Sequence, residues 1–366
     1  MSEKAIAALS TVIDPELRRP ITDLGMVGSV SVTGDKVMAE IKLTIVGCPA
    51  AQKIERDVRE ALSSKFTEVE VSMTTMNQQE RDELKQKLRG SKPIRHNPFA
   101  AEGNLTRVIF VGSGKGGVGK STITANLAIA LARKGLNVGL IDADIFGYSI
   151  PQIMGVSQGP TKVDELMLPP IAHDVRVMSI GFFVENNQPV GWRGPMLHRA
   201  IEQFLTDVYW GDLDFLLVDL PPGTGDVAIS LGQLLPKALS LVVTTPQQTA
   251  ATVAERSGAI GLQTGQSILG VVENLSYLAT PQGRQEIFGA GGGEAVAKRL
   301  GELSGQEVEL LAQLPLSELL RAASDQGQPL DAAKLEAELE GFAALVERIS
   351  KIPPGIAGKK LGLKAI

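Results

Sequence analysis

The sequence predicts an α/β fold, a mostly parallel sheet covered by helices on both faces, preceded by a small α+β domain. Three observations predict it. From Leu105 onward, near-continuous apolar runs of strand length alternate with stretches of helical spacing, the pattern of a parallel sheet buried on both sides. The first of those runs passes through a glycine-rich loop directly into a helix. Residues 1–76 carry their own helix-and-strand pattern, closed off by a charged stretch that Gly and Pro then break. At 366 residues the chain is long enough for two domains.

In the first domain, Lys4 to Ile13 has helical apolar spacing, with Ile6, Leu9, Val12 and Ile13 on one side, and Asp14-Pro15 ends it. Met26–Val32 and Val37–Ile45 read as strands joined by a turn at Gly34-Asp35. Cys48-Pro49 opens a second helix through Ala51, Ile54, Val58 and Leu62, and Val69–Met73 reads as a last strand. A cysteine at a helix start would have its pKa lowered by the dipole; an inert buried thiol is the other reading. Residues 77–104 read as a linker. Gln78 to Leu88 is charged and helical in propensity, expected to pack loosely or not at all, and Gly90, Pro93 and Pro98 break regularity beyond it.

The second domain spans residues 105–350. Its strands are expected at Val108–Gly112, Asn137–Ile141, Val175–Ile180, Phe215–Leu220, Leu239–Thr244 and Ile268–Val272. Between the first strand and its helix, Gly114, Lys115, Gly116, Gly117, Val118, Gly119, Lys120, Ser121 and Thr122 fit G-x-x-x-x-G-K-[ST]. Glycines allow successive backbone N–H groups to ring a phosphate, and the helix that starts there adds the positive end of its dipole. Lys120 can reach the β- and γ-phosphates of ATP, and the Ser121 hydroxyl can coordinate Mg²⁺.

Ligands in such sheets sit at the carboxyl ends of strands, so the polar residues there carry the chemistry. Asp219, closing the fourth strand before Leu220-Pro221-Pro222-Gly223, takes the Walker B role toward Mg²⁺. Asp142 and Asp144 follow the second strand; Asp142 is placed nearer the metal and Asp144 is placed to orient the attacking water, and the two could exchange roles. Gly223 to Asp226 is a glycine-flanked switch beside the γ-phosphate. Asn274 closes the sixth strand, either to read a purine edge or to form a turn. Trp192 to Met196 is a compact loop whose Arg193 faces a subunit interface or plain solvent. Ala332 to Ile349 reads as one amphipathic helix, and residues 351–366 as a basic tail with four lysines and no acid.

Composition narrows the class. A net charge of −5 provides no bulk basic field, so nucleic acid is not expected as a partner. No apolar run approaches a membrane span, and the tail's charge is too small for stable membrane association. With one cysteine there is no intrachain disulfide framework, and no secretory signal is visible at the N-terminus, so the chain is expected to be cytoplasmic.

The run KGGVGKS resembles the deviant Walker A motif of MinD/ParA-like ATPases. That resemblance implies that Lys115 crosses a dimer interface to the partner's nucleotide; a solvated surface lysine is the plain alternative. The pieces DPEL, ITDLGMV and T-x-x-GCP resemble a small domain of iron–sulfur cluster assembly factors. Together with DADIFGYSIP, WRGPM, VDLPPGTGD, VTTPQ and VVENLSY, they make the whole chain resemble the Mrp/ApbC family of P-loop ATPases, described as iron–sulfur cluster carriers. The family implies a homodimer, slow ATP hydrolysis with Lys115, Lys120 and Asp144 as catalytic residues, and a shared cluster donated to apoprotein clients alongside assembly proteins. Where the family commonly carries C-P-x-C, this chain reads Thr280-Pro281-Gln282-Gly283. That leaves Cys48 as the possible cluster ligand, one per subunit, short of an all-cysteine set, so a cluster is expected to be labile or absent. Two functions stay open, an iron–sulfur carrier ATPase and a nucleotide-switched dimeric binding module that has lost the cluster.

Overall fold

The computed structural model describes residues 3–89, 97–145, 147–184 and 194–354. The Trp192-Arg193 loop and the basic tail beyond Pro354 lie outside the described residues. The described residues form two compact units.

The first unit begins with α1 (Glu3–Leu9), β1 (Val27–Thr33), β2 (Lys36–Leu43), α2 (Ala51–Ser63), β3 (Glu68–Thr75) and α3 (Gln78–Arg89). β1 and β2 form an antiparallel hairpin, and β3 lies parallel to β2. The alternation along β2 sends Val37, Ala39, Ile41 and Leu43 into one core with Ile54, Val58 and Leu62 of α2. α3 corrects the expectation of a loose linker helix: Leu84 is 1% exposed in that same core. The charge that suggested a solvated helix is spent locally, Glu80 pairing with Lys42 at 2.5 Å and Lys85 with Asp82 and Asp164 at 2.7 Å.

Asp164 belongs to a segment that the sequence pattern places wholly in the second domain. Pro160–Ile171 and Asp207–Tyr209 instead join the first unit. The short strands Thr161–Val163 and Leu166–Leu168 pair antiparallel and bury Val163, Leu166 and Leu168 in its core. Fully burying each such side chain is worth about 1.5–3 kcal/mol, enough to decide where the segment sits.

The second unit is built on an eight-stranded sheet. Along the chain come β4 (Arg107–Ser113), α4 (Lys120–Arg133), β5 (Val138–Asp142), α5 (Ile150–Ile153), then the 161–168 hairpin as β6 and β7, β8 (Ile171–Ala172) and β9 (Val175–Ser179). α6 (Gly194–Thr206), β10 (Phe215–Asp219), α7 (Asp226–Leu234), β11 (Leu239–Thr244), α8 (Gln248–Gln263) and β12 (Ser267–Glu273) follow. A small hairpin, β13 (Leu278–Thr280) and β14 (Gly283–Gln285), precedes α9 (Gly292–Ser304), β15 (Leu310–Gln313), α10 (Glu318–Asp325), α11 (Ala332–Glu338) and α12 (Phe342–Ser350).

The strand order is β15-β12-β11-β4-β10-β5-β9-β8, and the pairs from β15 through β9 are all parallel. Neighbouring residues of one strand enter different cores: Val243 and Val272 pack with α4 and α12, while Val242 and Val271 pack with α8 and α9. Helices therefore cover both faces, as expected. The six expected strands are present, and the structure adds the short β8 and β15 at the edges, whose two and four residues give little pattern to read. The expected helix over Ala332–Ile349 is two helices, because Gly341 takes φ 88° and breaks the run between Leu339 and Phe342. No helix among the described residues is long and apolar enough to cross a membrane.

Candidate functional site

The site is the loop from Ser113 to Thr122, set where β4 hands over to α4. β4 lies near the middle of the sheet between β10 and β11, so the loop emerges at strand carboxyl ends. Two glycines are required by contact. A Cβ on Gly114 would run into the backbone of Val253 and Ala254 in α8, and Gly119 combines φ 79° with an approach to the Asn274 amide that admits no side chain. Lys115 through Thr122, with Asp144, Gly147, Ser149, Pro221 and Pro222, line a cavity of about 490 Å³. That volume suits a nucleotide-sized ligand.

Beneath the loop three donors converge on one carboxylate. Lys120 Nζ lies 2.5 Å from Asp219 Oδ2, Ser121 Oγ donates to the same oxygen at 2.6 Å, and Thr124 Oγ1 donates to Oδ1 at 2.8 Å. Asp219 is 0% exposed and Lys120 6%. A buried carboxylate survives only when paired and hydrogen-bonded, and this one is. Thr124 escapes sequence reading, although it stands one helical turn past Lys120 and so on the same face of α4. Ser121 and Asp219 supply oxygen donors, the set that Mg²⁺ prefers.

Asp142 lies beside this carboxylate. It is the register partner of Asp219 on the adjacent strand, but its oxygens are taken by Asp144 N at 3.2 Å, Ile150 N at 3.3 Å and Ser179 Oγ at 3.1 Å. It is fully buried, and through these three contacts it shapes the Asp144 loop. Burial, and after it the charge of Asp219, pushes its carboxyl up to about 7. Asp144 does line the cavity, with Oδ1 accepting from Gly147 N at 3.0 Å.

Asn274 meets the loop itself. Its Nδ2 donates to Val118 O at 2.9 Å, so the amide braces the glycine loop from below, where a free purine-reading edge was one of two expectations. Glu273 beside it is buried and accepts from Gly293 N at 2.6 Å, fixing the start of α9. Lys115 is half-buried and its Nζ donates to Gln247 Oε1 at 2.8 Å. Gln247 ends the VTTPQ run, and no local signal marks it, because its partner lies far away in sequence.

Cys48 corrects the thiolate expectation. α2 starts only at Ala51, and Cys48 is 6% exposed. Burial first, and then the carboxylates of Glu16 and Asp14, push its thiol up to about 11. At neutral pH it is a buried thiol. Thr280 and Gly283 face each other across the tip of the β13–β14 hairpin, with Thr280 Oγ1 donating to Gly283 O at 2.7 Å. Tyr277 and Arg284 both hydrogen-bond Glu340, which fastens the base of that hairpin. Among the described residues no cluster of three or more His, Cys, Asp or Glu is arranged to hold a metal ion.

Comparison with known proteins agrees with this geometry. Residues 104–350 match the family described as NUBPL iron-transfer P-loop NTPase, and residues 2–74 match the family described as iron-sulfur cluster assembly protein. An iron-sulfur cluster carrier protein of Mycobacterium tuberculosis (strain ATCC 25618 / H37Rv) is 53% identical over 361 residues, which cover 97% of this chain and 95% of the relative. One of Synechocystis sp. is 37% identical over 368 residues, 98% of this chain and 97% of the relative. Among solved structures, a nucleotide-binding protein from Archaeoglobus fulgidus in complex with ADP superposes with a TM-score of 0.55 at 34% identity, over 65% of this chain and 93% of that one. A glycine loop seated over a lysine–aspartate pair thus sits in a chain that matches the two carrier-protein relatives almost end to end, and the chain belongs to the iron-transfer P-loop NTPase family.

Proposed function

We propose that the protein is an ATP-dependent iron–sulfur cluster carrier that works as a homodimer and passes clusters to apoproteins. The observation that carries the nucleotide half is the convergence of Lys120, Ser121 and Thr124 on Asp219 under the glycine loop. In the nucleotide-free chain the Lys120 ammonium is neutralised by Asp219. An arriving triphosphate offers it a second anion, so Lys120 turns to the β/γ-phosphates while backbone N–H groups of Gly116 to Thr122 surround them. Ser121 and Asp219 are then free to hold Mg²⁺, whose contribution is to neutralise phosphate charge. Asp144, at the cavity wall, orients the attacking water, and Lys115 reaches the partner's nucleotide.

The carrier half rests on the relatives' names and on the family matched by the first domain. The cluster is cargo, and Cys48 is the ligand this chain can contribute, with the rest coming from a second copy, a client or small thiols. The burial of Cys48 and the closed tip of the Thr280–Gly283 hairpin favour a second reading, a nucleotide-switched module without cluster.

The two halves are tested separately. Calorimetry with Mg–ATP should lose at least about tenfold in affinity in Lys120→Ala, the loss of one charge-assisted contact; unchanged affinity removes the site. Anaerobic reconstitution with iron and sulfide, followed by gel filtration and visible absorbance, should show colour in wild type that is lost in Cys48→Ser. A cluster retained in Cys48→Ser refutes the ligand, and no cluster in either protein selects the second reading.

A further inference from the structure

We infer that Gln247 is a positioning residue for Lys115, holding that lysine inward in the nucleotide-free chain and so setting the ATP level at which two copies close. The inference rests on the proposed dimer, in which Lys115 acts across the interface.

Both ends of Lys115 are pinned within its own chain. Its carbonyl accepts from Ser113 Oγ at 3.1 Å, and its ammonium donates to Gln247 Oε1 at 2.8 Å. Gln247 cannot drift away from it. Its own carbonyl accepts the N–H groups of Ala250 and Ala251 that open α8. α8 in turn lies hard against the glycine loop, where Gly114 leaves no room for a side chain before Val253 and Ala254. The acceptor is therefore held at hydrogen-bonding range by a helix that the loop itself touches. In this position the ammonium points to its own helix and is not offered to a second copy.

The chemistry of the acceptor matters. Lys120 is bound by a full carboxylate and buried with it. Lys115 is bound by a neutral amide and is half-buried. A neutral acceptor holds a cation less firmly than a carboxylate, so it can yield when the phosphates of a second subunit's nucleotide compete. Replacing it by Ala removes the hold, and replacing it by Glu strengthens it, so the two substitutions must act in opposite directions. A residue that merely shaped the start of α8 would move both variants the same way.

Two measurements on the full chain test this. The first is brief acetylation of the nucleotide-free protein with an amine-reactive ester, read by peptide mass spectrometry at Lys115 against the exposed Lys65. Gln247→Ala should raise relative labelling of Lys115 several-fold, and Gln247→Glu should lower it. The second is sedimentation velocity across an Mg–ATP titration, with nucleotide affinity measured alongside by calorimetry. The ATP concentration for half-dimerisation should fall in Gln247→Ala and rise in Gln247→Glu, with affinity of the monomer unchanged. Equal labelling in all three proteins, or a midpoint that shifts the same way in both variants, overturns the assignment. A wild-type chain that stays monomeric at saturating Mg–ATP overturns the dimer reading and the threshold with it, whatever the labelling shows.

Discussion

Asp219 and Cys48 show how burial gives one acidic group a partner and denies another its charge. Asp219 relies on Lys120 for its counter-charge, so the lysine proposed to meet the phosphates is also structural. Breaking a buried pair by removing one partner costs about 3–5 kcal/mol, less whatever the two hydroxyls still supply. Urea unfolding of nucleotide-free Lys120→Ala should therefore show a lower midpoint than wild type, and Lys120→Ala/Asp219→Asn should recover part of the loss. Around Cys48 the balance is reversed, with two carboxylates opposing its thiolate. Because its folded pKa is raised, the thiol form persists up to about pH 11, and the stability it contributes is present below the ordinary thiol pKa and fades as pH climbs through the folded value. Iodoacetamide labelling of Cys48 should accordingly stay slow through neutral pH and reach half its limiting rate near pH 11; Glu16→Gln should shift that midpoint downward. Labelling that saturates below about pH 9, near the ordinary thiol range, would contradict the burial described. Lys120 and Asp219 could be singled out from local spacing, and the structure brings the two together. The state of Cys48 could not be read that way, since Asp14 and Glu16 reach it only through the fold.

At the level of elements, apolar periodicity found every central strand, because a strand buried on both faces has almost no polar positions to blur it. It failed where a helix carries its apolar residues thinly. α3 is charged along most of its length, yet Leu84 ties it to the first unit's core. Leu84→Ala should destabilise that unit by about 2–5 kcal/mol, the range for a buried leucine, while Mg–ATP affinity stays at the wild-type value. Two unfolding transitions monitored by hydrogen exchange would separate these effects; a variant as stable as wild type would return α3 to the status of a linker. The break at Gly341 was likewise hidden, since a lone glycine inside a helical pattern is compatible with a continuous helix until its φ is known.

At the scale of the whole molecule, the described residues form two compact units, and the path of the chain between them was not legible in the sequence. Val163, Leu166 and Leu168 read as ordinary apolar residues of the second domain, and nothing local says that they complete the core of the first. Cutting the chain between the apparent domains should therefore fail. A protein beginning at residue 97 keeps the β6–β7 hairpin and loses the core that buries it, and should aggregate or bind a hydrophobic dye where the full chain does neither. A deletion that also replaces Pro160–Ile171 with a short polar linker should remain soluble and bind Mg–ATP. Equal solubility of both truncations would show that the hairpin needs no partner. The same interleaving reaches back to the ribosome. Most of the first unit precedes the glycine loop along the chain, but its last pieces, Pro160–Ile171 and Asp207–Tyr209, leave the exit tunnel only after that loop, Lys115, Lys120 and α4. Its core stays open while the nucleotide site is being synthesised, so nascent chains arrested before Pro160 should present a protease-sensitive amino-terminal unit that becomes resistant only in chains extended well beyond Tyr209.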